Sequence, residues 1–238
     1  VTFSTSEEKR AFTRDLFARI STHYELTNVV MSMGQVGLWR RRVAREAGPA
    51  PGAWVLDVAT GEGGLARALA RRWPGARIVG LDFTAEMVRM AQARRCGESI
   101  DWTEGDALRL PFPDDVFAAV VSGFMLRNVT DVEATLAEQT RVLEPGGRLV
   151  CLEMTWPRNR IFRPLFELYF FGVVPLLGWL ITGQMDAYRY LPRSVKAFMA
   201  PEELGATMRR VGLEQVTCRL LSFGTVTVHV GVKGQNDR

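Results

Sequence analysis

Short apolar runs alternate with longer stretches at helical spacing along most of this chain. Residues 55–58, Val55-Leu56-Asp57-Val58, form a buried-strand pattern that ends in the loop Ala59-Thr60-Gly61-Glu62-Gly63-Gly64, and helical spacing then runs from about residue 65 to 72. A second strand over 76–81 ends on Asp82, and a third around 100–102 leads into Gly105-Asp106. After the turn Leu110-Pro111-Phe112-Pro113-Asp114-Asp115, residues 116–122 give a fourth strand. Thr130-Asp131-Val132-Glu133 caps a helix to residue 143, and 148–154 follow Glu144-Pro145-Gly146-Gly147 as a fifth strand.

The flanks differ from this repeat. Phe12, Leu16 and Ile20 share one face of a helix over 7–20, with Thr5 and Ser6 as caps. A second helical stretch over about 26–47 stops at Gly48-Pro49-Ala50-Pro51-Gly52. At the other end a helix over 201–210 is stopped by Gly212, and 216–221 and 225–232, joined by Ser222-Phe223-Gly224, read as a hairpin. The pattern predicts one α/β domain: a doubly wound, mostly parallel seven-stranded Rossmann-like sheet with N-terminal cap helices and a C-terminal antiparallel hairpin. Its parts are a cap (1–50), a ligand-binding half (53–155), an apolar insert (156–200), and a closing helix and hairpin (201–238).

The insert is the unusual part. Phe162, Leu165, Phe166, Leu168, Tyr169, Phe170, Phe171 and further apolar residues crowd 161–182, nearly the length of a membrane span. Arg163, Pro164, Glu167, Pro175 and the glycines are expected to break it, which argues against a spanning helix. A buried helix, a lid over an apolar substrate, and a patch dipping into a bilayer surface remain open.

Candidate chemistry lies at the carboxyl ends of the first three strands, where open α/β sheets bind ligands. Gly61 and Gly63 let backbone approach a ligand, Asp82 with Phe83 beside it is placed for the two hydroxyls of a ribose, and Asp106 for the amino group of an adenine. Gly61 to Ala66 also fits G-x-G-x-x-A, so a dinucleotide is the rival ligand. Asp57 and Glu62 would repel its pyrophosphate, whereas a ligand carrying an ammonium, a sulfonium and a ribose suits them. S-adenosylmethionine is such a ligand. A tight turn with solvated acids is the bland alternative.

Composition changes this little. At 238 residues and 47% apolar content the chain can bury one sizeable core. Cys96, Cys151 and Cys218 lack metal-ligand spacing and are expected as small core hydrophobes in a reducing compartment. No export signal is apparent at the amino end, so the expected location is the cytoplasm. The net charge of +4 sits mostly on arginines of helix faces, without the pattern of a nucleic-acid site, so no nucleic-acid partner is expected.

Several strings resemble those of the quinone C-methyltransferases, which methylate demethylmenaquinol or a ubiquinol precursor. They are Phe17-Ala18-Arg19-Ile20 with Tyr24-Glu25-Leu26-Thr27-Asn28, Leu110-Pro111-Phe112-Pro113-Asp114, Phe124-Met125-Leu126-Arg127-Asn128-Val129-Thr130, Arg141 to Leu149, Tyr188-Arg189-Tyr190-Leu191 and Val228-His229. The Leu-Arg-Asn-Val-Thr string is the most specific. The resemblance implies cofactor contacts at Glu62, Asp82, Asp106 with Ala107, and Gly123. The family commonly has threonine at position 62, an acid at 64, serine at 123 and aspartate at 25, where this chain has Glu62, Gly64, Gly123 and Glu25. It also implies a prenylated quinol substrate, with membrane contact through 161–182 at the inner face and a homodimer as further expectations.

Carbon methylation needs an electron-rich ring. Loss of a proton from a quinol hydroxyl, whose phenolic pKa is about 10, supplies one, and an oxidised quinone cannot. The resemblance implicates Arg127, which keeps its proton and would stabilise the developing phenolate, with Asn128 orienting it or donating beside it. The plainer reading pairs Arg127 with Asp131 or Glu133. Tyr24 and His229 are the remaining catalytic candidates, with His23 in an interhelical loop and Tyr188, Arg189 and Tyr190 at the entrance. Another apolar acceptor, such as a phospholipid amine or a secondary metabolite, and a cofactor-binding protein without turnover remain as alternatives.

Overall fold

The computed structural model describes residues 3, 5–94, 97 and 99–235. Cys96 lies outside them. Helix α1 (Ser6–Ile20) starts at Thr5, whose hydroxyl accepts the Glu8 N–H. A turn of 3-10 helix holds His23, and α2 (Tyr24–Met31) and α3 (Val36–Ala47) follow. The single helix expected over 26–47 is thus two, because Met33 (φ 51°) and Gly34 (φ 76°) are left-handed and a right-handed helix cannot run through them.

The sheet is assembled from β1 (Trp54–Val58), α4 (Gly64–Arg72), β2 (Arg77–Asp82), α5 (Ala85–Ala93), β3 (Ile100–Glu104), β4 (Phe117–Gly123), α6 (Val132–Val142) and β5 (Leu143–Met154). Then come α7 (Phe162–Leu168), α8 (Val174–Thr182), α9 (Met185–Ala197), α10 (Pro201–Arg210), β6 (Leu213–Leu221) and β7 (Val226–Lys233). The strand order is β3-β2-β1-β4-β5-β7-β6, with β7 antiparallel to both neighbours and the first five strands parallel. Seven strands and a closing hairpin match the expected architecture.

Strand pleating divides the core between the two faces. Val55 and Val121 pack with Ala44, Leu65 and Leu69 on the α3–α4 side, while Leu56 and Val58 pack with Leu136, Leu204 and Met208 on the α6–α10 side. Burying each such side chain contributes roughly 2 kcal/mol. The strand order reverses between β1 and β4, which opens a crevice beyond their carboxyl ends.

The apolar insert behaves otherwise than expected. Neither Pro164 nor Pro175 breaks it: α7 and α8 join through a π-helical turn, Tyr169–Val173, into one rod from Phe162 to Thr182. Pro175 lies inside this rod, directly after the π-helical turn, whose altered hydrogen-bond register is the place where a helix accommodates a residue without an N–H. Phe166, Phe170 and Val174 pack on Val195 of α9, and a Cβ at Gly178 would stand 2.1 Å from the Tyr188 ring, so the glycine is what lets rod and α9 touch. Leu165, Leu168, Leu176, Trp179 and Leu180 remain exposed. Cys151 is buried as expected; Cys218 is exposed instead.

Candidate active site

The crevice at the carboxyl ends of β1, β2 and β4 is a cavity of about 860 Å³, counting the solvent at its mouth. The loops after β1, β2, β3 and β4 form it with α1 and Tyr24 of α2. Gly61 stands at φ 57° with nothing nearer than the Tyr24 ring, 3.5 Å from where a Cβ would sit, so the floor is bare backbone. Ala59 (φ 57°) and Phe124 (φ 59°), the turning points after β1 and β4, hold left-handed conformations costing on the order of 1–3 kcal/mol each, a strain typical of binding loops.

Asp82 ties two of these loops together. Its Oδ2 accepts the Gly61 N–H at 2.8 Å and its Oδ1 the Thr84 N–H at 2.9 Å, with the Thr84 hydroxyl and the Phe83 N–H also acting on the carboxylate. Burial raises its pKa, against the pull of those N–H groups. Asp106 accepts the Leu108 N–H at 3.0 Å and pairs with Arg10 of α1. Arg10 and Arg14 also lie over the Phe83 ring at 4.8 and 5.0 Å. Lys9 donates to the carbonyl of Val129, so one basic helix face spans the loops after β2, β3 and β4. A cap of helices was expected here; that Lys9, Arg10 and Arg14 tie it to these loops was not.

Several expected contacts turn elsewhere. Asp57 is buried beneath the loop, where its Oδ2 accepts the Thr60 hydroxyl at 2.6 Å; burial pushes its pKa up to about 7 despite Thr60, the Ala66 N–H and Arg40. Glu62 accepts the Glu25 N–H at 3.1 Å and pairs with Arg94, so both oxygens serve the protein; burial raises its pKa against those two partners. A Cβ at Gly63 would lie 2.3 Å from the Trp102 ring, so packing alone requires this glycine. At Gly64 a Cβ would strike the Arg40 guanidinium, which is bidentate to Glu25. Arg40 thus occupies the room an acid at 64 would need.

On the opposite wall stand Tyr24, Gly123, Phe124, Met125, Asn128 and Val129, with Ala107 across from them. Asn128 donates to the Phe124 carbonyl at 3.1 Å and accepts the Tyr190 hydroxyl at 3.2 Å. Tyr24 meets Phe17 edge to face; burial raises its hydroxyl pKa, with the Arg127 charge pulling the other way. Arg127 itself lies behind the lining, its guanidinium 5.8 Å from the Phe124 ring centroid. Its ionic partner is Glu153, at 2.5 Å, and neither of the acids expected from sequence: Asp131 caps α6 and Glu133 pairs with Arg210.

His229 is a correction. It lies wholly buried on β7 between Cys151 and Cys218, with Nε2 2.9 Å from the Pro201 carbonyl, away from the cavity lining; burial lowers its pKa. The inward face of a central antiparallel strand puts it under α10. His23 is exposed, and Tyr188 and Tyr190 are buried in the seam between α1 and α9.

The donor set suits a cationic nucleoside. The Asp82 carboxylate, a neighbouring carboxylate at Asp106 and a backbone floor at Gly61, all lining one cavity, fit S-adenosylmethionine. Buried Glu62, next to the N terminus of α4, disfavours a pyrophosphate there.

Comparison with known proteins decides the class. Residues 4–233 match the model of the ubiE/COQ5 methyltransferase family. The chain belongs to that family. A demethylmenaquinone methyltransferase of Thermus thermophilus is 45% identical over 91% of this chain and 99% of its own length. A ubiquinone/menaquinone biosynthesis C-methyltransferase of Desulfotalea psychrophila is 43% identical over 92% and 89%. Among solved structures, a Thermotoga maritima S-adenosylmethionine-dependent methyltransferase superposes with a TM-score of 0.66 at 19% identity, covering 93% of this chain and 99% of its own. Haemonchus contortus phosphoethanolamine N-methyltransferase 2, in complex with S-adenosylhomocysteine, gives 0.65 at 15% over 94% and 60%. These two speak for the fold alone. As a member of the ubiE/COQ5 family the chain is a methyltransferase that uses S-adenosylmethionine.

Proposed function

We propose that this chain methylates a ring carbon of a reduced, prenylated quinone, demethylmenaquinol or a ubiquinol precursor; its 43–45% identical relatives are named demethylmenaquinone methyltransferase and ubiquinone/menaquinone biosynthesis C-methyltransferase. The observation that carries the reading is one cavity that joins the acidic loops of Asp82 and Asp106 to a wall of Phe17, Phe124, Met125 and Val129 bearing few polar groups. S-adenosylmethionine, when bound, supplies an electrophilic methyl group. The protein's part is to hold it and to make the acceptor carbon nucleophilic.

In this reading Asp82 takes the ribose hydroxyls, Phe83 packs beside the base, Asp106 with Ala107 takes the adenine edge, and Gly61 and Gly123 give backbone room. Asn128 and Tyr24 face the acceptor oxygen, and the charge of Arg127 behind them favours the phenolate over the phenol. Enclosure in a largely apolar pocket strengthens that attraction. Ring and methyl are held at near-attack distance: the methyl–sulfonium bond breaks as the ring-carbon bond forms, S-adenosylhomocysteine leaves, and the hydrogen on that carbon is lost to water as a proton when the ring regains aromaticity, with no covalent enzyme intermediate.

The exposed face of the 162–182 rod, flanked by exposed Val29, Val30 and Met33 of α2 and its following turn, is assigned to the inner surface of a membrane, where a prenyl tail resides. Leu165→Glu with Leu180→Glu should abolish sedimentation with anionic vesicles while sparing turnover on a short-tailed quinol. If the pair instead converts a dimer to a monomer with vesicle binding intact, the face is a subunit interface.

The test of the acceptor is turnover with labelled methyl donor against reduced naphthoquinols, reduced benzoquinols and a phosphatidylethanolamine. Label in a quinol supports the reading; label only in the lipid amine assigns another acceptor. Arg127→Ala should lose turnover but keep S-adenosylhomocysteine binding.

A further inference from the structure

β5 is apolar from Leu149 to Leu152 and then carries Glu153, 1% exposed, at the sheet edge facing the crevice loops. Its Oε1 accepts Arg127 Nη1 at 2.5 Å and the Met154 N–H at 2.8 Å, and its Oε2 accepts the Arg127 backbone N–H at 3.3 Å. One carboxylate therefore holds both the backbone and the side chain of Arg127. Arg127 Nη1 also donates to the Phe124 carbonyl at 2.8 Å, the same carbonyl that receives Asn128 Nδ2. Glu153, Arg127, Phe124, Asn128 and Tyr190 form one bonded chain that reaches the cavity wall at Phe124 and Asn128. Arg127, with its side chain 6% exposed, still has its Nε without a hydrogen-bond partner.

A buried ion pair is a poor device for stability, since apolar residues of like volume serve as well or better. An unspent guanidinium N–H behind the cavity wall calls for a different account. We propose that Glu153 is a positioning residue for methyl transfer: by clamping Arg127 it fixes the guanidinium against Phe124 and Asn128 and balances its charge until the acceptor oxygen becomes anionic. Glu153 touches neither substrate nor cofactor and acts through Arg127. The inference rests on the role assigned to Arg127 above.

Glu153→Gln keeps the shape and one acceptor oxygen but removes the charge. Its kcat on a reduced quinol should fall about 10- to 100-fold, the scale of a misplaced catalytic group, with acceptor KM and S-adenosylhomocysteine Kd nearly unchanged. With a negative charge removed near the ionising hydroxyl, the acidic limb of the kcat profile should move to lower pH. A double variant, Arg127→Met with Glu153→Gln, removes both charges, keeps an acceptor for the Met154 N–H and should fold yet be inactive. Wild-type kcat with an unmoved limb in Glu153→Gln overturns the proposal. So does a parallel loss of donor affinity, or a double variant that fails to fold, because either makes the pair structural. Full activity of Arg127→Ala would instead sink the role of Arg127 itself, a distinct result.

Discussion

Replacing Asp57 by Asn should make the fold more stable, and more so the higher the pH. The carboxyl is 1% exposed and its pKa stands at about 7 against an ordinary 3.8. A carboxyl with a raised folded pKa binds more protons folded than unfolded, so stability falls as pH rises from about 4 through about 7. At 1.36 kcal/mol per unit the full cost of ionised Asp57 is roughly 4 kcal/mol, of which roughly 3 should appear between pH 5 and 8.5. Asparagine keeps an acceptor for the Thr60 hydroxyl and removes the titration. Urea unfolding of both proteins at those two pH values measures the difference, with other titrating groups cancelling. The advantage of the variant should widen by roughly 3 kcal/mol; an advantage that stays constant refutes the reasoning.

Three further perturbations read other parts of the site. Asp82→Ala should lower S-adenosylhomocysteine affinity about 10-fold or more by calorimetry, since it removes charge-assisted bonds and unties Gly61. Gly63→Ala should cost about 2–4 kcal/mol in urea unfolding, because φ is 80° and the new Cβ meets the Trp102 ring. Arg10→Ala should speed cofactor-product release in stopped flow, by removing the Asp106 pair and the Phe83 contact; an unchanged rate means α1 does not gate the crevice.

Strand positions, the glycine loop and the acids at strand ends were legible because they depend on local apolar runs and turn chemistry. β1, β2 and β4 differ from their expected bounds by one residue or so, and α10 not at all. The division of 26–47 hid in Gly34, one glycine among polar and apolar neighbours. Prolines 164 and 175 suggested breaks because proline is read as a stop, yet Pro164 lies in the first turn of α7 and Pro175 just after a π-helical turn, both places where it is tolerated. What stayed out of reach depends on side chains brought together across the sheet: Arg10 with Asp106, and Glu153 with Arg127. Glu153 did leave a trace, as a lone charge ending the apolar run Leu149 to Leu152. His229 misled because strand alternation gives a side chain two faces, and the one facing α10 leads away from the crevice.

The account stands on methyl transfer to a reduced ring. Purified protein, labelled S-adenosylmethionine and one demethylmenaquinone analogue, held fully reduced in one vessel and fully oxidised in another, can be followed by mass spectrometry of the acceptor. A single added methyl in the reduced vessel alone is the predicted result. Equal labelling of both forms, or of neither while a different acceptor is methylated, contradicts it.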